Sequence, residues 1–408
     1  MHLKLIEIKE GKVRLKIPDI RYYSGDKLEP AWAPIFYNPR MSVSRDISVA
    51  LIEAYSLASG RSRIRICEPL SATGVRGLRY AAEVEAVEEV VLNDKDERAY
   101  ELERENASLN ALEHRVSIYN RDARALLMEM AERGDKFDVV DIDPFGTPAP
   151  FVEAALTALK HGGMLCMTAT DLAPLFGVYP GACLRKYSAV PLRAEFSKEV
   201  GARILAAFTV REAAKLGLAA RPVYTVLTQH ALRQAFLVRR NKSEARKLAS
   251  QLGFARYCNR CLYRDMVRGL ACVEAKCPYC GKPLKAAGPL WTGPLWDADF
   301  SSLVEECYER RNYMSREGLK LVKAVRAEAG KPALYTTVTA LVRLSRAASE
   351  PSPARVVRVV EEAGGEASLT HFDSKGVRSS LQPLELVKLL GLPLNANWCV
   401  RPGGIQGR

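Results

Sequence analysis

Ile64-Arg65-Ile66-Cys67-Glu68-Pro69-Leu70-Ser71-Ala72-Thr73-Gly74-Val75-Arg76-Gly77 decides the fold. A strand pattern over Ile64 to Glu68 ends in a proline, passes through small residues and glycines, and opens onto a helical pattern from Val75 to Glu85. A strand feeding a helix through such a turn is the first half of a βαβ unit. The pattern recurs downstream. Strands over Glu89 to Asn93, Val116 to Tyr119, Phe137 to Ile142 and Met164 to Ala169 alternate with helices over Asp96 to Asn110, Ala123 to Arg133 and Pro150 to Lys160. Alternation of this kind predicts a parallel sheet with helices on both faces and ligands at the carboxyl ends of its strands. After a helix over Glu195 to Leu216, the β-rich runs Pro222 to Thr228 and Gln234 to Arg239 predict an antiparallel hairpin at the sheet edge.

The strand ends carry polar residues in series. After the first strand come Glu68 and the loop Ser71, Thr73 and Gly74, where small side chains let a ligand approach the backbone at a helix start. After the second comes Asp94, placed to take the two hydroxyls of a ribose, and after the third Asp122-Ala123, where a carboxylate can accept from an adenine amine. Each also has a plain structural reading: Gly74-x-x-Gly77 as a tight turn and Asp122 as a helix N-cap. Without a full Gly-x-Gly-x-x-Gly, a nucleoside cofactor lacking a pyrophosphate, such as S-adenosylmethionine, fits better than a dinucleotide.

The fourth strand runs into Asp141-Ile142-Asp143-Pro144-Phe145-Gly146. An aromatic amine is a poor nucleophile because its lone pair is delocalised into the ring. A carboxylate that accepts from the NH2 group draws that pair back toward attack. Asp143 can supply the carboxylate, Pro144 a fixed turn lacking an N–H, and Phe145 a face on which a base stacks. The other reading is a strand-end turn in which Asp143 caps the helix that begins near Pro150.

Upstream, Leu3 to Ile8 and Lys12 to Ile17 predict a hairpin turning at Glu10-Gly11. Phe36-Tyr37-Asn38-Pro39-Arg40-Met41-Ser42-Val43-Ser44-Arg45-Asp46 follows as an aromatic, arginine-bearing loop before a helix over Ile47 to Ala58. It reads either as a surface loop with Ser44 or Asp46 as N-cap, or as a segment that closes over a charged ligand.

The 408 residues, 48% hydrophobic, suffice for two or three cored domains. No apolar run is long enough for a bilayer and the N-terminus lacks a signal pattern, so a soluble, cytoplasmic protein without membrane contact is expected. The formal net charge is +13 and the pI about 9.2, which suits a polyanionic partner. Between Ala231 and Leu290 there are 13 Lys/Arg and only Glu244, Asp265 and Glu274 as acids.

Five of the ten cysteines fall between Cys258 and Cys280. Cys258-x2-Cys261 and Cys277-x2-Cys280 have the spacing of two knuckles that share a tetrahedral Zn2+, a structural site because four thiolates leave no open position. Cys272 is a possible substitute ligand. Tyr257, Tyr263, Arg256, Arg260, Arg264 and Arg268 interleave with the ligands, so the knuckle is either a scaffold or a basic, aromatic face for RNA. Gly288 to Trp296 reads as a rigid aromatic linker. Helical patterns follow at Ser301 to Met314, Glu317 to Ala329, Val338 to Leu344 and Ala354 to Ala363. His371 reads as a packed residue, not a catalyst, and Gly391 to Arg408 as a loosely held end.

Taken in order, Phe36-Tyr37-Asn38-Pro39 with Arg45-Asp46, Ser71-Ala72-Thr73-Gly74-x-Arg76-Gly77, Asp141-x-Asp143-Pro144-Phe145-Gly146, Thr168-Ala169-Thr170-Asp171, Gly293-Pro294-Leu295-Trp296 and Thr370-His371-Phe372-Asp373 resemble the tRNA (guanine26-N2)-dimethyltransferases, from about Phe36 to Val377. The resemblance implies an α/β fold of the class I S-adenosylmethionine-dependent methyltransferases, a Rossmann-like seven-stranded sheet. A C-terminal α+β domain containing the four-cysteine zinc knuckle would follow. It implies S-adenosylmethionine as methyl donor and N2 of guanosine 26 in tRNA as acceptor, with Asp143 as catalytic carboxylate and Phe145 as stacking residue. Phe36 and Arg45 match family positions that contact the cofactor. The expected division is a methyltransferase domain over residues 1–240, its first 45 residues forming the hairpin and cofactor/substrate loop. A tRNA-binding domain would occupy 241–408, with the knuckle at 256–285. No obligate protein partner is evident. An amino methyltransferase acting on another base, such as adenine N6 in DNA, is the same-chemistry rival, and a zinc-dependent nucleic-acid-binding module with an inert α/β domain the rival of another class.

Overall fold

The computed structural model describes residues 3–269 and 275–393. Cys272, and the terminal stretch from residue 394 on, lie outside the described residues. The chain forms two compact units. The first comprises Met1–Asp171, Thr209–Leu248 and Trp296–Arg326; the second comprises Leu172–Phe208, Ala249–Leu295 and Ala327–Arg408. A single boundary at 240/241 therefore does not describe them. Leu172–Phe208 lies with the second unit and Trp296–Arg326 with the first.

The first unit is built on a seven-stranded sheet. In chain order its strands are β1 (Ile64–Glu68), β2 (Val87–Asn93), β3 (Val116–Tyr119), β4 (Phe137–Ile142), β5 (Leu159–Ala169), β6 (Leu218–Leu227) and β7 (Leu232–Arg240). Their spatial order is β3-β2-β1-β4-β5-β7-β6. Strands β1 to β5 pair in parallel, while β7 runs antiparallel to both β5 and β6. This is the Rossmann-like methyltransferase sheet with the expected edge hairpin. β4 is buried at every residue, as helices on both faces require, and its two acids, Asp138 and Asp141, are ion-paired with Arg61 and Arg233.

Four helices of this unit matter for the site: α1 (Ser42–Ser59), α2 (Val75–Glu83), α3 (Glu97–Leu109) and α4 (Ala123–Glu132). α1 begins earlier than expected. The Asn38 side chain accepts from the Arg40 N–H at 2.9 Å, and the 3-10 turn Pro39–Met41 leads straight into the helix. Ser44 and Asp46 are consequently not caps but buried helical residues. Asp46 accepts from Arg79 at 2.8 Å and from the Ser315 N–H at 3.1 Å. The N-terminal hairpin pairs Leu5–Glu10 with Val13–Pro18.

The second unit contains two three-stranded antiparallel sheets. In one, Leu252–Tyr257 lies between Arg264–Arg268 and Lys285–Trp291. The stretch read as a linker is thus in part an edge strand, and Trp291 is buried with its indole N–H on the Pro294 carbonyl at 2.8 Å. In the other, Gly376–Ser379 lies between Thr336–Thr337 and Ala367–Leu369. Beneath it Arg378 reaches Glu328 at 2.6 Å and Glu199 at 2.9 Å, and His371 Nδ1 lies 2.6 Å from Glu328. His371 is buried in that cluster, a packing role. Among the described residues no helix is long and apolar enough to cross a membrane.

Candidate active site

Because β1, β2, β3 and β4 are parallel neighbours, their carboxyl ends form one rim, and the expected residues lie along it. Glu68 ends β1, buried, accepting the Gly77 N–H at 2.9 Å. Burial pushes its carboxyl up to about 8 although the nearby Arg76 pulls the other way. The loop that follows is shaped by two left-handed residues, Ala72 (φ 53°) and Gly74 (φ 72°). A Cβ on Gly74 would stand 3.0 Å from Leu92 Cδ1, a tight contact that adds to the strain of a side chain at that positive φ. Ser71 faces inward, bonded to the Asn93 carbonyl at 2.9 Å and to Glu103 at 2.5 Å, and so braces the loop. Thr73 is 1% exposed and its hydroxyl has no partner.

Beyond β2, the Asp94 carboxylate accepts from the Ala72 N–H at 3.1 Å and the Asp96 N–H at 3.0 Å, tying the two rim loops together. Asp122 is the N-cap of α4, accepting from the Arg124 and Ala125 N–H groups at 3.0 and 3.1 Å, and Ala123 is buried as the first residue of that helix. At Asp122 the capping reading of the sequence is therefore realised.

The β4 end differs. Asp143 does not cap the following helical segment, whose N-cap position is Pro148; its carboxylate is ion-paired with the guanidinium of Arg76. Pro144 is buried. Gly146 (φ 84°) donates its N–H to Thr170 Oγ1 at 2.7 Å and accepts the Thr170 N–H at 2.9 Å, which pins the turn. Between them Phe145 stands 70% exposed, with the Phe36 ring edge-on at 4.5 Å. A large aromatic left in water beside a half-buried carboxylate presents a flat apolar face next to a hydrogen-bond acceptor.

The Phe36 loop is held from behind. Tyr37 donates to Glu10 at 2.8 Å, and Arg45 donates to Glu10 at 2.6 and 2.5 Å and to the Asn38 carbonyl at 3.2 Å. Arg45 is thus buried against the hairpin, bracing the loop that carries Phe36. Burial opposes the charge on Glu10, yet Arg45 and Arg79 hold its carboxyl down at about 2. Glu10, Arg76 and Arg79 carry this arrangement, and local patterning assigned none of them. The one signal available was the presence of arginines in a helix turn that otherwise faces the core.

In the second unit Cys258, Cys261, Cys277 and Cys280 bring their sulfurs within 4.8 Å of one another. The two Cys-x-x-Cys segments fold identically. Leu262 and Gly281 donate N–H to the Cys258 and Cys277 carbonyls at 2.9 Å, both with positive φ, and the Cys258 and Cys277 N–H groups return to the Tyr263 and Lys282 carbonyls. Backbone N–H groups of Arg260 and Cys261 point at the Cys258 sulfur, and those of Tyr279 and Cys280 at the Cys277 sulfur. Such donors stabilise thiolates, so this donor set suits a soft divalent metal.

A sequence profile described as N2,N2-dimethylguanosine tRNA methyltransferase matches residues 11–391. The chain belongs to this family. Similar relatives include the tRNA (guanine(26)-N(2)/guanine(27)-N(2))-dimethyltransferase of Aquifex aeolicus, 36% identical over 93% of this chain and 94% of that one. The tRNA (guanine(26)-N(2))-dimethyltransferase of Methanothermobacter thermautotrophicus is 36% identical over 95% and 98%. Among solved structures, the complex of Trm1 from Pyrococcus horikoshii with S-adenosyl-L-methionine superposes with a TM-score of 0.82 at 32% identity, covering 94% of this chain and 99% of that one. In this member of the dimethylguanosine methyltransferase family, the rim described above lies where the Rossmann-like sheet places a ligand.

Proposed function

We propose that this chain transfers methyl groups from S-adenosylmethionine to the exocyclic N2 of guanosine 26 in tRNA, giving N2-methyl- and then N2,N2-dimethylguanosine. The observation that carries the reading is the Asp143-Pro144-Phe145 turn at the end of β4, its carboxylate half-buried and its ring exposed beside Phe36. Family membership supports the substrate class.

Asp143 accepts a hydrogen bond from guanine N2–H, restoring lone-pair density to the nitrogen, and takes the proton released when the N–C bond forms. Phe145 supplies a stacking face for a base flipped out of the tRNA core. Bound S-adenosylmethionine supplies the methyl group on an already activated sulfonium leaving group, so alignment is the protein's main contribution. The rim fits that cofactor. The Ser71-to-Gly74 loop, with Gly74 in a left-handed conformation, offers a close backbone approach. We assign Asp94 at the end of β2 to the ribose hydroxyls, Asp122 and Ala123 at the end of β3 to the adenine, and Glu68 at the end of β1 to the cationic portion.

The cysteine cluster would hold a structural Zn2+, since four thiolates complete a tetrahedral site and would leave no position for substrate. Sulfur pairs at 3.4 and 3.3 Å support that reading. We assign the tRNA-binding surface to the C-terminal part containing the knuckle, because acids are scarce among the lysines and arginines around it, and the compartment to the cytoplasm.

Methyl transfer to an unmodified tRNA transcript and to one with guanosine 26 replaced by adenosine, read by nucleoside mass spectrometry, tests the assignment. Dimethylguanosine in the first alone is the expected result. Equal methylation of both moves the target, position 27 being the first place to look given the name of the Aquifex relative. Methylation of neither, with cofactor bound, overturns the tRNA reading.

A further inference from the structure

Arg76 is the second residue of α2, directly after the Thr73-Gly74 loop, and its side chain is only 3% exposed. Its guanidinium touches three elements. One terminal nitrogen, Nη2, pairs with Oδ2 of Asp143, Nη1 donates to Ser48 Oγ of α1 at 2.5 Å, and Nε lies 3.5 Å from Glu68 Oε1 at the end of β1. A rigid planar fork therefore spans the loop that would hold the cofactor and the carboxylate that would hold the base.

We propose that Arg76 is a positioning residue for methyl transfer: it holds Asp143 by one carboxylate oxygen, leaves the other for the substrate amine, and fixes the separation between the base clamp and the cofactor loop. The proposal rests on the reading of Asp143 given above. In the transfer step the guanine N2 lone pair forms the N–C bond, the methyl–sulfur bond breaks with its electron pair going to sulfur, and N2 loses a proton toward Asp143. Attack is in line only if amine and methyl are held together. Asp143 lies on a turn, and without the fork its carboxylate is free to rotate about its own side-chain bonds. Ser48 supplies the third anchor. It sits on α1, buried, so the guanidinium cannot swing with the clamp.

A merely structural ion pair makes a different forecast. Removing it would weaken stability and all binding together, as for any buried guanidinium whose partner is left alone. A positioning role instead separates kcat from KM. Arg76→Met is expected to lower kcat on tRNA by about a hundredfold, the effect of a small misplacement at the reacting centre. KM for tRNA and Kd for S-adenosylmethionine should stay within about threefold. Arg76→Lys, which keeps the charge and loses the fork, should recover part of kcat. In a double-mutant cycle, Arg76→Met added to Asp143→Asn should cost little more than Asp143→Asn alone, because the arginine acts through that carboxylate.

Unchanged kcat in Arg76→Met, or losses that multiply in the cycle, overturns the proposal. So does a fall in cofactor affinity that tracks the fall in rate while Arg76→Lys rescues nothing. If Arg76→Met does not fold, Arg76→Lys and Arg76→Gln carry the same cycle by single-turnover rates. Absence of methyl transfer by the unaltered protein is a separate result, which fails the functional reading rather than the role of Arg76.

Discussion

Asp141 and Arg233 meet through two parallel hydrogen bonds, 2.9 Å from Nη1 to Oδ1 and 2.7 Å from Nη2 to Oδ2, with both side chains fully buried. The pair links strands that are not neighbours, since β5 lies between β4 and β7. Arg233 bridges the gap by also donating to Thr168 Oγ1 on β5 at 3.0 Å, and Tyr80 of α2 donates to Asp141 at 2.6 Å. The network lies two residues before Asp143 and anchors the strand from which Asp143 projects. Arg233→Met would strand the Asp141 carboxylate in the core. A loss of about 3–5 kcal/mol is expected for breaking one side of a buried pair. Urea unfolding measures it, and a midpoint equal to that of the unaltered protein would show that the pair carries no such weight.

Acid sensitivity follows from carboxylates held low in the fold. Burial opposes ionisation of Glu10, Asp141 and Glu328, yet neighbouring cations overcome it and each sits at about 2: Arg45 and Arg79 for Glu10, Arg233 and Arg76 for Asp141, His371 and Arg378 for Glu328. A carboxyl whose folded pKa lies below its unfolded value stabilises the fold above the unfolded value. That contribution is lost as pH falls through the folded one. Stability is therefore expected to decline progressively from about pH 4.5 toward pH 2, measured as urea midpoint against pH. A flat profile across that window would contradict the pairing described here.

Glu68 runs the other way. Its carboxyl is raised to about 8 by burial, against the pull of Arg76, so it is largely protonated at neutral pH without ligand. It favours the fold below the unfolded value, and that contribution is lost as pH rises through about 8. A cationic ligand at the rim favours the ionised form, so binding of S-adenosylmethionine near pH 7 should release a proton. Calorimetric titration in two buffers of different ionisation enthalpy reads this directly. Identical apparent enthalpies would mean that Glu68 does not sense the cofactor.

Phe145 stands in water and contributes little to the core, so Phe145→Ala should leave the thermal midpoint nearly unchanged. Its loss should fall on the base instead. A stacking contribution of about 1–3 kcal/mol corresponds to a drop of about 5- to 150-fold in kcat/KM for tRNA. Equal kcat/KM for the variant would remove Phe145 from the site.

What could be read in advance follows from how local each signal is. Phe137 to Ile142 reads as a strand because its apolar residues suit a segment covered on both faces, and the Cys-x-x-Cys pairs carry their geometry in their spacing. Arg76, Arg233 and Glu10 were opaque for the opposite reason: their partners are Asp143, Asp141 and Arg45, brought near only by folding. Ser44 and Asp46 looked like caps because nothing local shows that Asn38 and the Pro39 turn already start the helix. Gly288-Pro289 suggested a linker, yet proline is tolerated on an edge strand, and Lys285–Trp291 is one.

The cysteine cluster allows a test that uses its internal likeness. Both knuckles make the same turn, with Leu262 and Gly281 in matching left-handed conformations and the same pair of backbone bonds around Cys258 and Cys277. If both grip one ion, Cys258→Ser and Cys277→Ser should be equivalent. Each should cut metal content well below about one per chain, since a three-thiolate site is open to exchange. Each should also lower the thermal midpoint of the part containing the knuckle, because metal affinity is folding free energy there. Cofactor binding at the rim of the first unit should survive both substitutions. Metal analysis after gel filtration, paired with cofactor titration, separates the two effects. Full metal retention in either variant would show that the ligand set is wrong.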